Sequence, residues 1–258
     1  MPSNSTTVLA HIISILDCFS AVQPELGVRE VARMVNISAS AAGRLMAEMK
    51  AAGVLQQNPF TRAYAPGSKL LAWSSTFMSQ LNIRTVALPF MEELRQDTGE
   101  TVTLYVLDGR ERLCVERMES QHNIRMVTRV GMKLPLYAGS AGKAILAFMP
   151  AEWREDYLRS VILKPLTAQT FSNPDVLRRE LDQVRQDGYA ASTGEWILEA
   201  SGVAAPIFGT GAEVVGALSI SGPGSRFTSQ RMLDYAAEVR RVTRTISQFM
   251  GCPLKETI

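Results

Sequence analysis

The chain has 258 residues, of which 46% are hydrophobic and 20% charged, with a formal net charge of +2. That length suits one large domain or two modest ones, and a composition near the globular average excludes a disordered chain, a collagen-like repeat and a disulfide scaffold. No apolar run approaches the roughly 18 residues of a membrane span. The first ten residues, MPSNSTTVLA, lack the charged and apolar regions of a secretory leader, so a cytoplasmic location is expected. Three scattered cysteines, Cys18, Cys114 and Cys252, read as reduced, mostly buried thiols, with no metal site and no cofactor implied. Two histidines, His11 and His122, leave little material for a histidine-dependent enzyme. A charge of +2 neither announces nor excludes a nucleic-acid partner.

Taken in chain order, the spacing of Val8, Leu9, Ile12, Ile13, Ile15, Leu16 and Phe19 predicts a helix with one face packed inward. A loop with Pro24 and Gly27 precedes a short helix over about 28–35. Asn36-Ile37-Ser38 reads as a turn with Ser38 as N-cap. A third helix over about 39–52 follows, stopped by Gly53, with Ile37, Leu45, Met49 and Met46 as its core side. Residues 54–56 and 62–64 read as a hairpin around Asn58-Pro59. Helical patterns then cover 67–81, in the position of a connector, and 83–97. Beyond Gly99 the period changes: 101–107 and 113–119 read as strands around Asp108-Gly109, and 123–130 as a third. Residues 131–137 read as a loop, 140–148 as a short helix, and Pro150 starts another amphipathic stretch. A helix is predicted over 174–186, strands over 189–193, 202–208 and 214–220, and a long helix over 229–250. Gly222-Pro223-Gly224 reads as the turn before that last helix. The second part is therefore α+β, a mixed sheet with helices on its faces.

The first 66 residues fit a helix-turn-helix with a hairpin wing. A recognition helix needs short polar or small residues near its N-terminus and a long basic residue further along. Ser38, Ala39, Ser40, Ala41, Gly43 and Arg44 supply that face, and Arg62 stands on the wing. Arg29, on the preceding helix, is a further candidate DNA contact. The same residues admit plainer readings, with Ser38 only a cap, Arg44 an ordinary solvated arginine and the small residues a sign of close helix packing. Five basic residues (Arg29, Arg33, Arg44, Lys50, Arg62) against four acids (Asp17, Glu25, Glu30, Glu48) give a net +1, so specific DNA binding would need two or more copies.

The opening helix, the run VREVARMVNISASAAGRLMAEMKAAGVL and a wing ending in Tyr64-Ala65-Pro66-Gly67 resemble the winged helix-turn-helix of IclR-type bacterial transcriptional regulators. LPLYAGSAGKAILAF, GVAAPIF and GALSISGPGSRF are similar to that family's effector-binding domain, so the resemblance spans about Val8 to Phe249. It implies a winged helix-turn-helix DNA-binding domain over 1–66, a linker helix over 67–82 and a GAF-like effector-binding domain over 83–258. It also implies double-stranded operator DNA and a small organic acid as partners, and a homodimer or a dimer of dimers, which would share the electrostatic load. By the same resemblance Met126, Leu134, Ser140, Ala141, Ser192, Gly202, Ser219 and Ser221 are effector-facing. The Gly139-to-Gly142 turn offers backbone N–H groups at a helix start, which suits an anion. Ser219 and Ser221 alternate on the last strand and so share a face. Ser192-Thr193-Gly194-Glu195 replaces an acidic run common in the family, and Gly202 replaces a cysteine. These departures predict a roomier, less negative pocket for an acid larger than glyoxylate or pyruvate, aromatic acids included, with Trp196 or Tyr137 beside it.

Two other readings stay open from the residues alone. One is a small-molecule sensor whose winged helix binds a protein. The other is a serine hydrolase using Ser140, although both histidines precede that serine and so break hydrolase order. A phosphate loop at Gly142-Lys143 fails, because Tyr137 and Ala144 stand where glycine and a hydroxyl residue are required. Glu92-Glu93 and Glu111 with Glu116 read as solvated acids among arginines. Arg240, Arg241 and Arg244 form a basic stripe, read as a solvated face or an interface.

Overall fold

A computed structural model describes residues 8–20, 22–79, 82–123 and 128–253. The chain forms two compact units, residues 1–80 and 81–258.

The first unit contains α1 (Val8–Asp17), α2 (Val28–Val35), α3 (Ala39–Ala51), the strand pair β1 (Leu55–Gln57) and β2 (Tyr64–Pro66), and α4 (Ser68–Ser79). Asn36 ends α2 in the left-handed region, at φ 59°, and Ser38 opens α3 with its hydroxyl accepting from Ala41 N at 3.2 Å. These two residues make the tight turn, since asparagine tolerates the left-handed region and serine satisfies an otherwise orphaned helix N–H. The core gathers Ile15, Leu26, Val31, Leu45, Met46, Met49, Leu55 and Tyr64. On α1 only Ile15 is buried, while Val8, Leu9 and Ile13 remain more than half exposed. Its apolar residues spread over more than one face, and the core of this unit covers one of them.

The second unit contains α5 (Asn82–Thr98), β3 (Thr101–Asp108), β4 (Glu111–Met118), β5 (Lys133–Pro135), α6 (Ser140–Phe148), α7 (Ala151–Ser160), α8 (Pro174–Asp187), β6 (Ala190–Thr193), β7 (Ala200–Phe208), β8 (Val214–Pro223), a 3-10 turn at Gly224–Arg226, and α9 (Ser229–Phe249). The six strands run in the order β5-β4-β3-β8-β7-β6, and every neighbouring pair is antiparallel. The expected mixed sheet is therefore wholly antiparallel. Hairpins build β3–β4 and β7–β8, and β8 then closes onto β3.

Strand alternation divides the core in two. Leu104, Val106, Leu218 and Ile220 face α5 and α9, while Tyr105, Cys114 and Ala217 face α6, α7 and α8. The predicted strand over 123–130 falls largely on 124–127, outside the described residues. The predicted loop after it contains β5, an edge strand, where the missing N–H of Pro135 costs no inner ladder bond. β8 extends through Gly222-Pro223, so the turn into α9 begins at Gly224 instead.

That extension brings Arg226 onto Glu100, whose side chain is fully buried. Arg226 Nε and Nη2 each donate to one of its oxygens at 2.6 Å. Removing one partner of a buried pair strands the other charge, at about 3–5 kcal/mol. Arg226→Ala should therefore lower the urea and thermal midpoints by that scale. A midpoint equal to wild type would show that Glu100 is solvated in the folded protein.

Candidate functional site

On α3 the residues facing solvent at its start are Ala39 and Ser40, followed by Arg44 one turn later; Ser38 is also exposed. Gly43 is half-buried, and a side chain there would touch Val28 of α2. The small residue thus serves helix packing, and Ser38 is engaged as a cap. Arg29 on α2 and Arg62 on the wing are exposed. The wing tip is fixed by its own hydrogen bonds: Asn58 Oδ1 accepts from Phe60 N and Thr61 N, and Gln57 Nε2 donates to Arg62 O. Arg62 sits at φ 63°. Phe60 projects from this tip 93% exposed, a feature that hydrophobic patterning assigns to a core and that only the hairpin reveals as surface.

In the second unit, a recess opens between the sheet and the start of α6. Five of the sequence-predicted effector residues line it: Ser140, Ser192, Gly202, Ser219 and Ser221. Leu134 and Ala141 lie instead in the core beneath, Leu134 from the edge strand and Ala141 from the buried face of α6. Met126 lies outside the described residues. Trp196 lines the recess, whereas Tyr137 donates from its hydroxyl to Lys164 O at 3.0 Å and is absent from the lining.

The polar centre of the recess was not among the predicted site residues. Arg112, on β4, is 3% exposed. Its Nη1 donates to the carbonyls of Ala138, at 2.8 Å, and Pro135, and its guanidinium lies 5.2 Å from the Tyr105 ring centre. Its Nε has no hydrogen-bond partner. Burial pulls this guanidinium below its ordinary pKa, with Tyr105 the largest compensating influence. The glycines of the Gly139-to-Gly142 turn make its seat. A Cβ on Gly142 would overlap Arg112 Nη1 and the Leu136 carbonyl, and one on Gly139, at φ 85°, would crowd Nη2.

Two of the N–H groups at the start of α6 are already taken by side chains. Gly139 N donates to Glu195 Oε2 at 2.8 Å and Ser140 N donates to Ser192 Oγ at 3.0 Å. Glu195 is 6% exposed and lines the recess, so the pocket retains an acid after all. Nor does Gly202 simply add room, because a Cβ there would meet Ser140 Oγ at 3.2 Å and Ser221 Cβ at 3.3 Å.

Behind Glu195 stands Lys143, 1% exposed, whose ammonium donates to Glu195 Oε1 at 2.6 Å, Glu180 Oε1 at 2.7 Å and Ala191 O at 2.7 Å. All three of its protons are used. Burial pushes the Glu195 carboxyl above its usual pKa, and Lys143 works against that shift. Thr170 Oγ1 donates to Glu195 O at 2.7 Å and fixes the loop that carries the acid. A lone lysine in the otherwise apolar helix SAGKAILAF was the available signal for this network. For Arg112 the signal was its inward register beside Cys114, a thiol that burial raises to about 12 and so keeps inert. No histidine lines the recess among the described residues, which leaves Ser140 without a base.

A winged helix followed by a sheet-based domain with a polar recess has the make-up of a DNA-binding regulator. Residues 8–59 match the IclR helix-turn-helix domain and residues 75–248 match the bacterial transcriptional regulator IclR C-terminal domain. The chain belongs to the IclR family of bacterial transcriptional regulators, a non-enzymatic family. It is 30% identical over 245 residues to the HTH-type transcriptional regulator KdgR of Escherichia coli, covering 93% of each protein. It is 29% identical to the transcriptional repressor IclR of the same organism, covering 94% of this chain and 89% of that one. Among solved structures, IclR of Thermotoga maritima superposes with a TM-score of 0.81 at 34% identity, covering 94% of this chain and 98% of that one. An IclR homologue from Microbacterium hydrocarbonoxydans, complexed with 4-hydroxybenzoate, gives 0.83 at 28% identity, covering 95% and 99%.

The seat of Arg112 is open to a direct check. Gly142→Ala should cost about 1–3 kcal/mol, since both the guanidinium and a backbone carbonyl would have to move. A wild-type denaturation midpoint for this variant would show that Arg112 does not lie beneath α6.

Proposed function

We propose that this regulator binds operator DNA through α3 and the wing, senses a small organic acid in the recess, and controls a catabolic operon in response. The observation that carries the effector reading is Arg112, a buried guanidinium that lines the recess and is held by backbone carbonyls with no carboxylate in hydrogen-bond contact. A buried charge without a carboxylate partner is costly, and an effector carboxylate supplies the missing counter-charge. Binding of 4-hydroxybenzoate by the Microbacterium relative supports an acid of this general size.

On DNA, Arg44 and Ser40 face the major groove, Arg62 and Phe60 approach the minor groove from the wing, and Arg29 meets the backbone. Ser38, Ala39 and Gly43 shape the helix start that allows close approach. The near-neutral charge of residues 1–66 favours two or four copies acting together. The exposed Val8, Leu9 and Ile13 of α1 offer apolar surface for pairing with a second copy. An effector changes operator affinity only to the extent that it binds one arrangement better, on a scale of about 1–3 kcal/mol.

Two substitutions separate the functions. Arg44→Ala should weaken binding to the promoter fragment upstream of its own gene about tenfold or more and flatten the salt dependence, with folding unchanged. Fluorescence anisotropy at several salt concentrations measures this, and wild-type affinity in the variant would remove Arg44 from the interface. Ser140→Trp should fill the recess and abolish the response of that DNA complex to acids, while leaving DNA affinity intact. A retained response would move the effector site elsewhere.

A further inference from the structure

Phe60 is the most exposed large apolar side chain among the described residues. A single exposed apolar residue is ordinary by itself, but this one stands on a tip that is held from both sides. Asn58 Oδ1 accepts from Phe60 N at 3.0 Å and from Thr61 N at 3.2 Å. Asn58 N donates to Ala63 O at 2.8 Å, and Arg62 N donates to Asn58 O at 3.0 Å. Lys50, on α3, donates from Nζ to Gln57 Oε1 at 3.0 Å, and Gln57 Nε2 donates to Arg62 O at 2.9 Å. The tip is therefore tied to the recognition helix, and the ring is carried at a fixed place beside α3.

Nothing in the fold uses that ring. Among the described residues it joins neither the core of the first unit nor an aromatic pair. The turn is made by the Asn58 side chain, which satisfies the N–H groups of residues 60 and 61 whatever side chain residue 60 carries. Arg62, two residues on, is exposed, and its guanidinium makes no hydrogen bond or ion pair among the described residues. An apolar wedge beside a free guanidinium suits a DNA minor groove. The cation meets the negative potential of the groove, and the apolar side chain enters between base pairs.

We infer that Phe60 inserts into the minor groove beside the recognition helix and unstacks one base step in each half-site. The regulator then bends its operator there and prefers a flexible pyrimidine–purine step at a position where it makes no base hydrogen bond. This inference rests on the DNA-binding reading above and goes beyond it. A wing that only touches the groove leaves the bases stacked, whereas a wedge opens one step and selects for steps that open easily.

The test uses the full-length protein and the promoter fragment upstream of its own gene. 2-Aminopurine replaces, in turn, the adenine of each pyrimidine–purine step in the protected region. At saturating protein, emission should rise about threefold or more at one step per half-site with the wild type and stay at the free-DNA level with Phe60→Ala. Phe60→Leu, which keeps a wedge, should retain most of the rise. Replacing that step by the stiffer AA should weaken wild-type binding about tenfold and change the affinity of Phe60→Ala by less than about twofold. Both variants should melt with the wild type, since the ring packs against neither the core nor another ring. Equal emission from the wild type and Phe60→Ala overturns insertion and leaves DNA binding in place. So does a loss of affinity in Phe60→Ala without any emission rise in the wild type. Absence of salt-dependent binding of the wild type to the fragment overturns both.

Discussion

The second unit is organised around one buried cation. Arg112 enters from β4 beneath the first turn of α6, and two glycines in that turn leave room for it. Its guanidinium is held by the carbonyls of Pro135, at the end of β5, and Ala138, in the segment joining β5 to α6. One side chain therefore fixes the edge strand, the helix start and the rear of the recess together. Because its compensation comes from dipoles and a ring rather than a carboxylate in direct contact, its charge still reaches the space in front of it.

Electrostatic balance elsewhere in the recess follows from the same restriction. Lys143 is sealed inside α6 with every donor occupied, so it neutralises Glu195 without itself meeting a ligand. Glu195 in turn accepts from the Gly139 N–H and so lays a carboxylate against the positive end of α6. The helix terminus thus organises the pocket wall. In the first unit the corresponding economy is at α3, where the Ser38 hydroxyl is spent on Ala41 N while Ser40 and Arg44 stay exposed.

Much of the architecture was readable from local pattern. The recognition helix, the wing, the Asp108-Gly109 hairpin and the long last helix depend on period, caps and glycine stops, which act within a few residues. Their ends shift by only one or two residues. The extension of β8 through Pro223 was not readable, because Gly222-Pro223-Gly224 is turn-like by composition and its pairing with β7 and the Glu100–Arg226 contact join distant parts of the chain. The antiparallel sheet likewise depends on which strands close on one another. Within the pocket, alternation alone put Ser219 and Ser221 on one face. Arg112, Glu195 and Lys143 do not read as site residues in the sequence, because a charged residue in a strand, loop or helix looks solvated until its neighbours are known.

The average composition and the charge of +2 left the partner open, and the sequence by itself determined the order of a winged helix, a connector and an α+β domain, together with membership of the IclR family. Those properties rest on local periodicity and on motifs spread along the whole chain. The polar character of the recess was decided only by tertiary structure. Whether a serine caps a helix or faces a ligand, and whether an arginine meets water or an effector, depends on side chains brought together from β3, β4, α6, β7 and β8. Burial is a property of that assembly, and burial is what gives Arg112 and Glu195 their chemistry.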